Sequence, residues 1–133
     1  MLANPNNPTG AFLNSDEIEE LAVATAKKKI LLVLDYAYWE YVDNKEVPDP
    51  MQVFRKHPHV IVLKTFSKIH GLAALRVGYT VARKNIISII ERSRQPFNVG
   101  SLGLVGAQAA LQDTSHVEKS RSLNASSKRE LEA

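Results

Sequence analysis

The chain contains no cysteine. That removes disulfides, thiolate nucleophiles and cysteine-bound zinc, and it fits a reducing compartment. It also lacks any uninterrupted apolar run near the roughly 18 residues that a membrane-spanning helix needs. The opening "MLANPNNPTG" has no basic segment followed by an apolar stretch, so no secretory leader is read there and the expected location is the cytoplasm. A dense stripe of lysine and arginine is missing too. Net charge is only +3, and the longest basic block is Lys27 to Lys29, which suits the negative end of a helix dipole. Nucleic-acid binding is therefore not expected. His57, His59, His70 and His116 show no metal-ligand spacing and are expected to be packing or surface residues.

What remains is an ordinary globular composition. With 133 residues, 44% hydrophobic and 23% charged, the chain suffices for one modest domain with a real core. "NPNNPTGAF" at 4–12 is a loop by composition. Asn14 followed by Glu17 predicts a capped helix with Ile18, Leu21 and Ala22 on one face, closed by Lys27 to Lys29. "ILLVLD" at 30–35, "VIVLKT" at 60–65 and "VGYTVA" at 77–82 read as buried strands. Helices are expected at 50–56, 83–94 and 101–113, the last closely packed through its small residues. Ser115 and Glu118 form a capping-box pattern that opens a long polar helix running to the end. Strands alternating with helices mark an α/β fold. The polar final helix is of the kind that leads towards another domain, and the chain reads as incomplete at both ends.

In open α/β sheets the ligand crevice lies at the carboxyl ends of the strands. Asp35 ends one apolar run, and Thr65, Ser67 and Lys68 follow another. Arg76 stands eight residues beyond Lys68, Tyr38 three beyond Asp35, and Asn7 lies in the first loop. Singly, each has an ordinary explanation. Asp35 and Ser67 would serve as turn or cap residues, Arg76 as an ion-pair partner, Lys68 as a surface amine and Tyr38 as packing. Their order along the chain says more.

"NPNNPTG", then "DYAY", then "TFSKIHGLAALRVGY" resembles the fold-type-I pyridoxal-phosphate aminotransferases, and among them the group that acts on histidinol phosphate. The resemblance extends over essentially the whole chain, "RQPFNVGSLGLVGAQAAL" included. It implies part of a three-layer αβα large domain with a mainly parallel sheet, residues 1–113, and a helix at 114–133 leading towards a small domain. It implies pyridoxal 5'-phosphate as cofactor. Lys68 would bond to the cofactor aldehyde and act as general acid and base. Asp35 would face the ring nitrogen, Asn7 and Tyr38 the ring oxygen, and Thr65, Ser67 and Arg76 the phosphate. The implied reaction is transamination between histidinol phosphate and 2-oxoglutarate in histidine biosynthesis, by a homodimer.

Elementary chemistry supports those roles. A carboxylate keeps a nearby ring nitrogen protonated, and the planar fork of arginine bonds two phosphate oxygens at once. A lysine nucleophile must shed its proton, which a neighbouring cation such as Arg76 and partial burial would both favour. Tyr36 stands where relatives often carry glutamate, Ala74 where glycine is frequent, and Gly100 where asparagine is common. The resemblance assigns the ring-stacking aromatic, an upstream phosphate loop and a carboxylate-binding arginine to other segments. The isolated chain is therefore expected to bind cofactor weakly and to show no appreciable transamination. Another amino-acid aminotransferase or β-lyase shares these motifs, as does a non-catalytic remnant or the regulator half of a fused transcription factor.

Overall fold

In the computed structural model, which describes residues 1–43 and 45–132, four strands form one sheet in the order β1 (Leu2–Ala3), β2 (Leu32–Asp35), β3 (Val60–Thr65), β4 (Gly78–Val81). β1, β2 and β3 run parallel, with Leu2 opposite Leu34 and Leu34 opposite Val62. β4 returns antiparallel to β3. The sheet is thus mixed but mostly parallel, as the apolar runs foretell.

The helix α1 (Ser15–Lys27) begins as its sequence dictates. The Asn14 side chain accepts hydrogen bonds from the backbone N–H groups of Asp16 and Glu17, while the Glu17 carboxylate accepts from Asn14 N–H at 2.8 Å. Two otherwise orphaned donors and the cap's own N–H are satisfied in one exchange. Ile18 and Ala22 then meet Leu32, Leu34, Val60 and Val62 in the main core. α2 (Pro50–Lys56) adds Val53, with Pro50 in its first turn and Asp49 capping Met51 N–H at 2.8 Å. Tyr36 lies fully buried in this core, and burial pushes its phenol up to about 12.

Three expectations change. β2 starts at Leu32, and Ile30 and Leu31 are exposed in the connection from α1. β4 is an edge rather than a buried strand: Gly78 and Tyr79 are exposed, because only β3 pairs with it among the described residues. Finally, the last helix opens at Thr114, not Ser115. Asp113 is its cap, accepting from His116 N–H at 2.9 Å and from the Ser115 hydroxyl at 2.8 Å. Asp and Ser serve equally well as caps, so the backbone path, which enters the helix at Asp113, decides between them.

The remaining helices are α3 (Lys84–Ser93), α4 (Ser101–Gln112) and α5 (Thr114–Glu132). α4 packs by its small residues on the segment after β3: a side chain at Gly103 would stand 2.7 Å from Val77 Cγ2. Its other faces leave Leu102, Leu104, Val105 and Leu111 exposed. Among the described residues no helix is long and apolar enough to cross a membrane, and no cluster of three metal-ligating side chains occurs.

Candidate active site

The parallel strands end together. The ladder continues past them, with Asn4 N–H on the Asp35 carbonyl and Tyr36 N–H on the Leu63 carbonyl. The polar residues that follow each strand therefore open onto the same rim. Asn4 itself is fully buried, and its side chain bonds both the carbonyl and the N–H of Leu13, at 3.0 and 2.8 Å. That double bond folds residues 5–12 into a loop whose Asn7 reaches back over the sheet.

At that rim a cavity of about 290 Å³ is lined by Asn7, Asp35, Tyr38 and Lys68, with Ala3, Pro5 and Ala37 between them. The Asn7 amide donates to the Tyr38 hydroxyl at 3.0 Å. The Lys68 Nζ lies 4.9 Å from the centroid of the Tyr38 ring, a cation–ring contact. Asp35 Oδ1 accepts from Ala37 N–H at 3.0 Å, which holds the carboxylate at the strand end.

Lys68 reaches the cavity for a simple reason. Phe66 and Ile69 on either side of it are buried, so Ser67 and Lys68 are turned outwards. Gly71 at φ +70° closes the turn through its N–H on the Lys68 carbonyl at 2.9 Å. Lys68 is exposed, so the partial burial expected of it is not there.

Thr65, Ser67 and Arg76 form a second cluster, joined to the first by the Ser67–Lys68 peptide. Thr65 Oγ1 accepts from Ser67 N–H at 3.1 Å. Arg76 Nη1 donates to the Ala73 carbonyl at 2.9 Å and reaches Ser67 Oγ at 3.5 Å. Arg76 has φ +53°, in the left-handed region that side-chain-bearing residues avoid. Lys29 at φ +57° and Phe97 at φ +58° share this conformation.

The sequence motifs are those of one family, and its model for aminotransferase class I and II matches residues 1–133. The chain belongs to the class I and II aminotransferases. It is 46% identical over 123 residues to histidinol-phosphate aminotransferase 1 of Nitrosococcus oceani, covering 92% of this chain and 33% of that protein. It is 46% identical over 131 residues to histidinol-phosphate aminotransferase 2 of Pseudomonas aeruginosa, covering 98% and 35%. The crystal structure of histidinol-phosphate aminotransferase from Sinorhizobium meliloti in complex with pyridoxal-5'-phosphate superposes with a TM-score of 0.76 at 34% identity, over 90% of this chain and 32% of that one. This aminotransferase chain thus spans about a third of the length of the curated relatives it matches.

The donor set of this aminotransferase segment fits pyridoxal phosphate. An amine and a carboxylate open into one cavity, as an aldehyde and a ring nitrogen require, and a guanidinium beside the Ser67 hydroxyl, with the Thr65 hydroxyl on the Ser67 N–H, suits a phosphate. Sequence reasoning passed over two residues near this site, Glu40 and Lys64. Their signal was a charge inside the apolar run "VIVLKT" and another five residues after Asp35.

Proposed function

We propose that this chain forms the cofactor-binding part of a pyridoxal-phosphate-dependent enzyme that transfers an amino group between histidinol phosphate and 2-oxoglutarate. The observation that carries the reading is the meeting of Lys68, Asp35, Tyr38 and Asn7 in one cavity at the strand ends. The choice of histidinol phosphate is supported by the relatives of that name.

Pyridoxal phosphate, when bound, supplies an electron-withdrawing ring that stabilises negative charge at the substrate α-carbon. The residues do the rest. Lys68 Nζ, once the substrate amine has replaced it at the cofactor aldehyde, would carry the proton from that α-carbon to the carbon that bore the aldehyde. The Asp35 carboxylate holds a proton on the ring nitrogen by charge. Tyr38, oriented by Asn7, donates to the ring oxygen. Arg76, Ser67 and Thr65 grip the phosphate with one fixed charge and two hydroxyls. The same reading takes residues 1–113 as part of the large domain and 114–133 as the helix leading towards a smaller one. It includes a homodimer, a place in histidine biosynthesis and a cytoplasmic location.

The test is chemical trapping. The purified chain is mixed with pyridoxal phosphate, reduced with borohydride and digested for peptide mapping. Label concentrated on Lys68 is the expected result. Label spread over Lys27 to Lys29 and other surface amines would overturn the site.

A further inference from the structure

Four residues before Lys68, a second lysine is engaged quite differently. Lys64 Nζ pairs with the Glu40 carboxylate, and the two side chains are only 9% and 14% exposed. The same ammonium lies 4.7 Å from the centroid of the Trp39 ring. Lys68 Nζ, further along, lies over Tyr38. Three consecutive residues, Tyr38, Trp39 and Glu40, are thus gripped by two lysines on and just beyond β3.

The turn they belong to is closed by its own backbone, Tyr41 N–H on the Tyr38 carbonyl at 3.1 Å and Val42 N–H on the Trp39 carbonyl at 3.0 Å, which fixes its shape but not its place against β3. Residues Trp39–Tyr41 form a single 3-10 turn whose start at Tyr38 has no side-chain cap. Its place is set from outside. The Trp39 indole donates to the Pro48 carbonyl at 3.1 Å, and Arg121 of α5 donates to the Glu40 carbonyl at 2.7 Å. The Glu40–Lys64 pair ties the turn to β3, beside the contact of Lys64 with the Trp39 ring and the packing of Trp39 on the main core. A nearly buried ion pair is weak evidence for added stability, since desolvation offsets attraction, but it specifies one geometry.

We propose that Glu40 and Lys64 are positioning residues: their ion pair sets the turn against β3 so that the Tyr38 ring and hydroxyl face Lys68. The inference rests on the reading of Lys68 as the cofactor-bearing amine. Neither residue touches the reacting atoms, and both act through Tyr38.

The test reads Lys68 directly, with no cofactor added. Trace acylation by an N-hydroxysuccinimide ester of acetate is followed by peptide mass mapping, with Lys27 as internal reference and far-UV circular dichroism as the check on folding. In E40Q and K64M, Lys68 should acylate about two- to fivefold faster, the factor that an exposed cation–ring contact is worth. K64R keeps the charge pair and should leave Lys68 as it is in the parent chain. An unchanged Lys68 rate in folded E40Q and K64M overturns the proposal, as does a change in K64R as large as in K64M. Should either single variant lose its fold, E40L/K64M removes the pair without leaving a lone buried charge. It must then show the faster rate, and a parental rate overturns the proposal. Loss of fold in every variant, K64R included, overturns it too, by making the pair a core stabiliser only. Failure of borohydride trapping at Lys68 in the parent chain is a separate readout and would count against the proposed function instead.

Discussion

The side chain of Asn7 donates a hydrogen bond to the hydroxyl of Tyr38 at 3.0 Å across 31 positions of sequence. The bond occupies an acceptor lone pair of the phenol and leaves its O–H hydrogen directed elsewhere. The two residues therefore act as a unit on any acceptor in the cavity. N7A and Y38F should each weaken pyridoxal phosphate binding by about two- to tenfold, the range one hydrogen bond spans. The double variant should cost less than the sum of the singles. Fluorescence titration of the three variants checks this, and strictly additive losses would show that the bond has no part in binding.

Arg76 separates backbone from side-chain needs. Its φ of +53° is a conformation in which glycine would sit without strain. R76G should therefore leave the melting temperature unchanged or higher, with about 1 kcal/mol of strain relieved. Affinity for pyridoxal phosphate should nonetheless fall by about tenfold or more, as expected on losing a charge-assisted bond. Thermal melting and cofactor titration on the same samples decide it. A lower melting temperature with unchanged affinity would show that Arg76 is structural.

Asn4 is buried without a charge and satisfies both backbone groups of Leu13. N4A should strand that N–H and carbonyl, lowering the unfolding free energy by about 2–4 kcal/mol. Urea unfolding measures this. A loss smaller than about 1 kcal/mol would mean that water replaces the amide.

Acid should act through named groups. Hydrogen bonds from Lys56 and then His57 hold the Glu19 carboxyl below its usual 4.5, and the His116 N–H with the Ser115 hydroxyl lower Asp113 from 3.8. Both folded-state values lie below the unfolded ones. Their stabilisation is therefore full above the usual carboxylate range and disappears as pH falls through the folded values. Burial also lowers His70 from 6.5, so its neutral ring is favoured in the fold and stability begins to decline below that pH. Urea midpoints measured from neutral to acid pH should fall in two steps. E19Q and D113N should flatten the lower step, and H70F should remove the upper one. An unaltered acid profile in all three variants would sink the assignment.

Much of the scaffold was legible because it is local. Asn14 and Glu17 lie close enough in sequence to cap α1 by themselves, and the mostly apolar run at 60–65 is β3 to the residue. The cap of α5 is Asp113 and not Ser115 because two polar residues only two positions apart both offer a cap, and only the backbone path chooses between them. Tyr79 was expected inside since a short apolar run looks alike in a central strand and at an edge. Glu40 and Lys64 went unassigned for another reason. Nothing local says that a charge in one strand meets its opposite in a turn far away along the chain.

By itself, the sequence determined which groups are available: one amine, one carboxylate, one guanidinium and the hydroxyls, each placed just after an apolar run or turn signal. It also determined the strands and helices, through periodicity and capping, which are short-range forces. Only the tertiary structure decided that Asn7, Asp35, Tyr38 and Lys68 share one cavity, that Arg76 stands beside Ser67, and that Lys64 is paired. Parallel strands cannot pair without a crossover between them, so residues that meet at their ends are necessarily far apart along the chain.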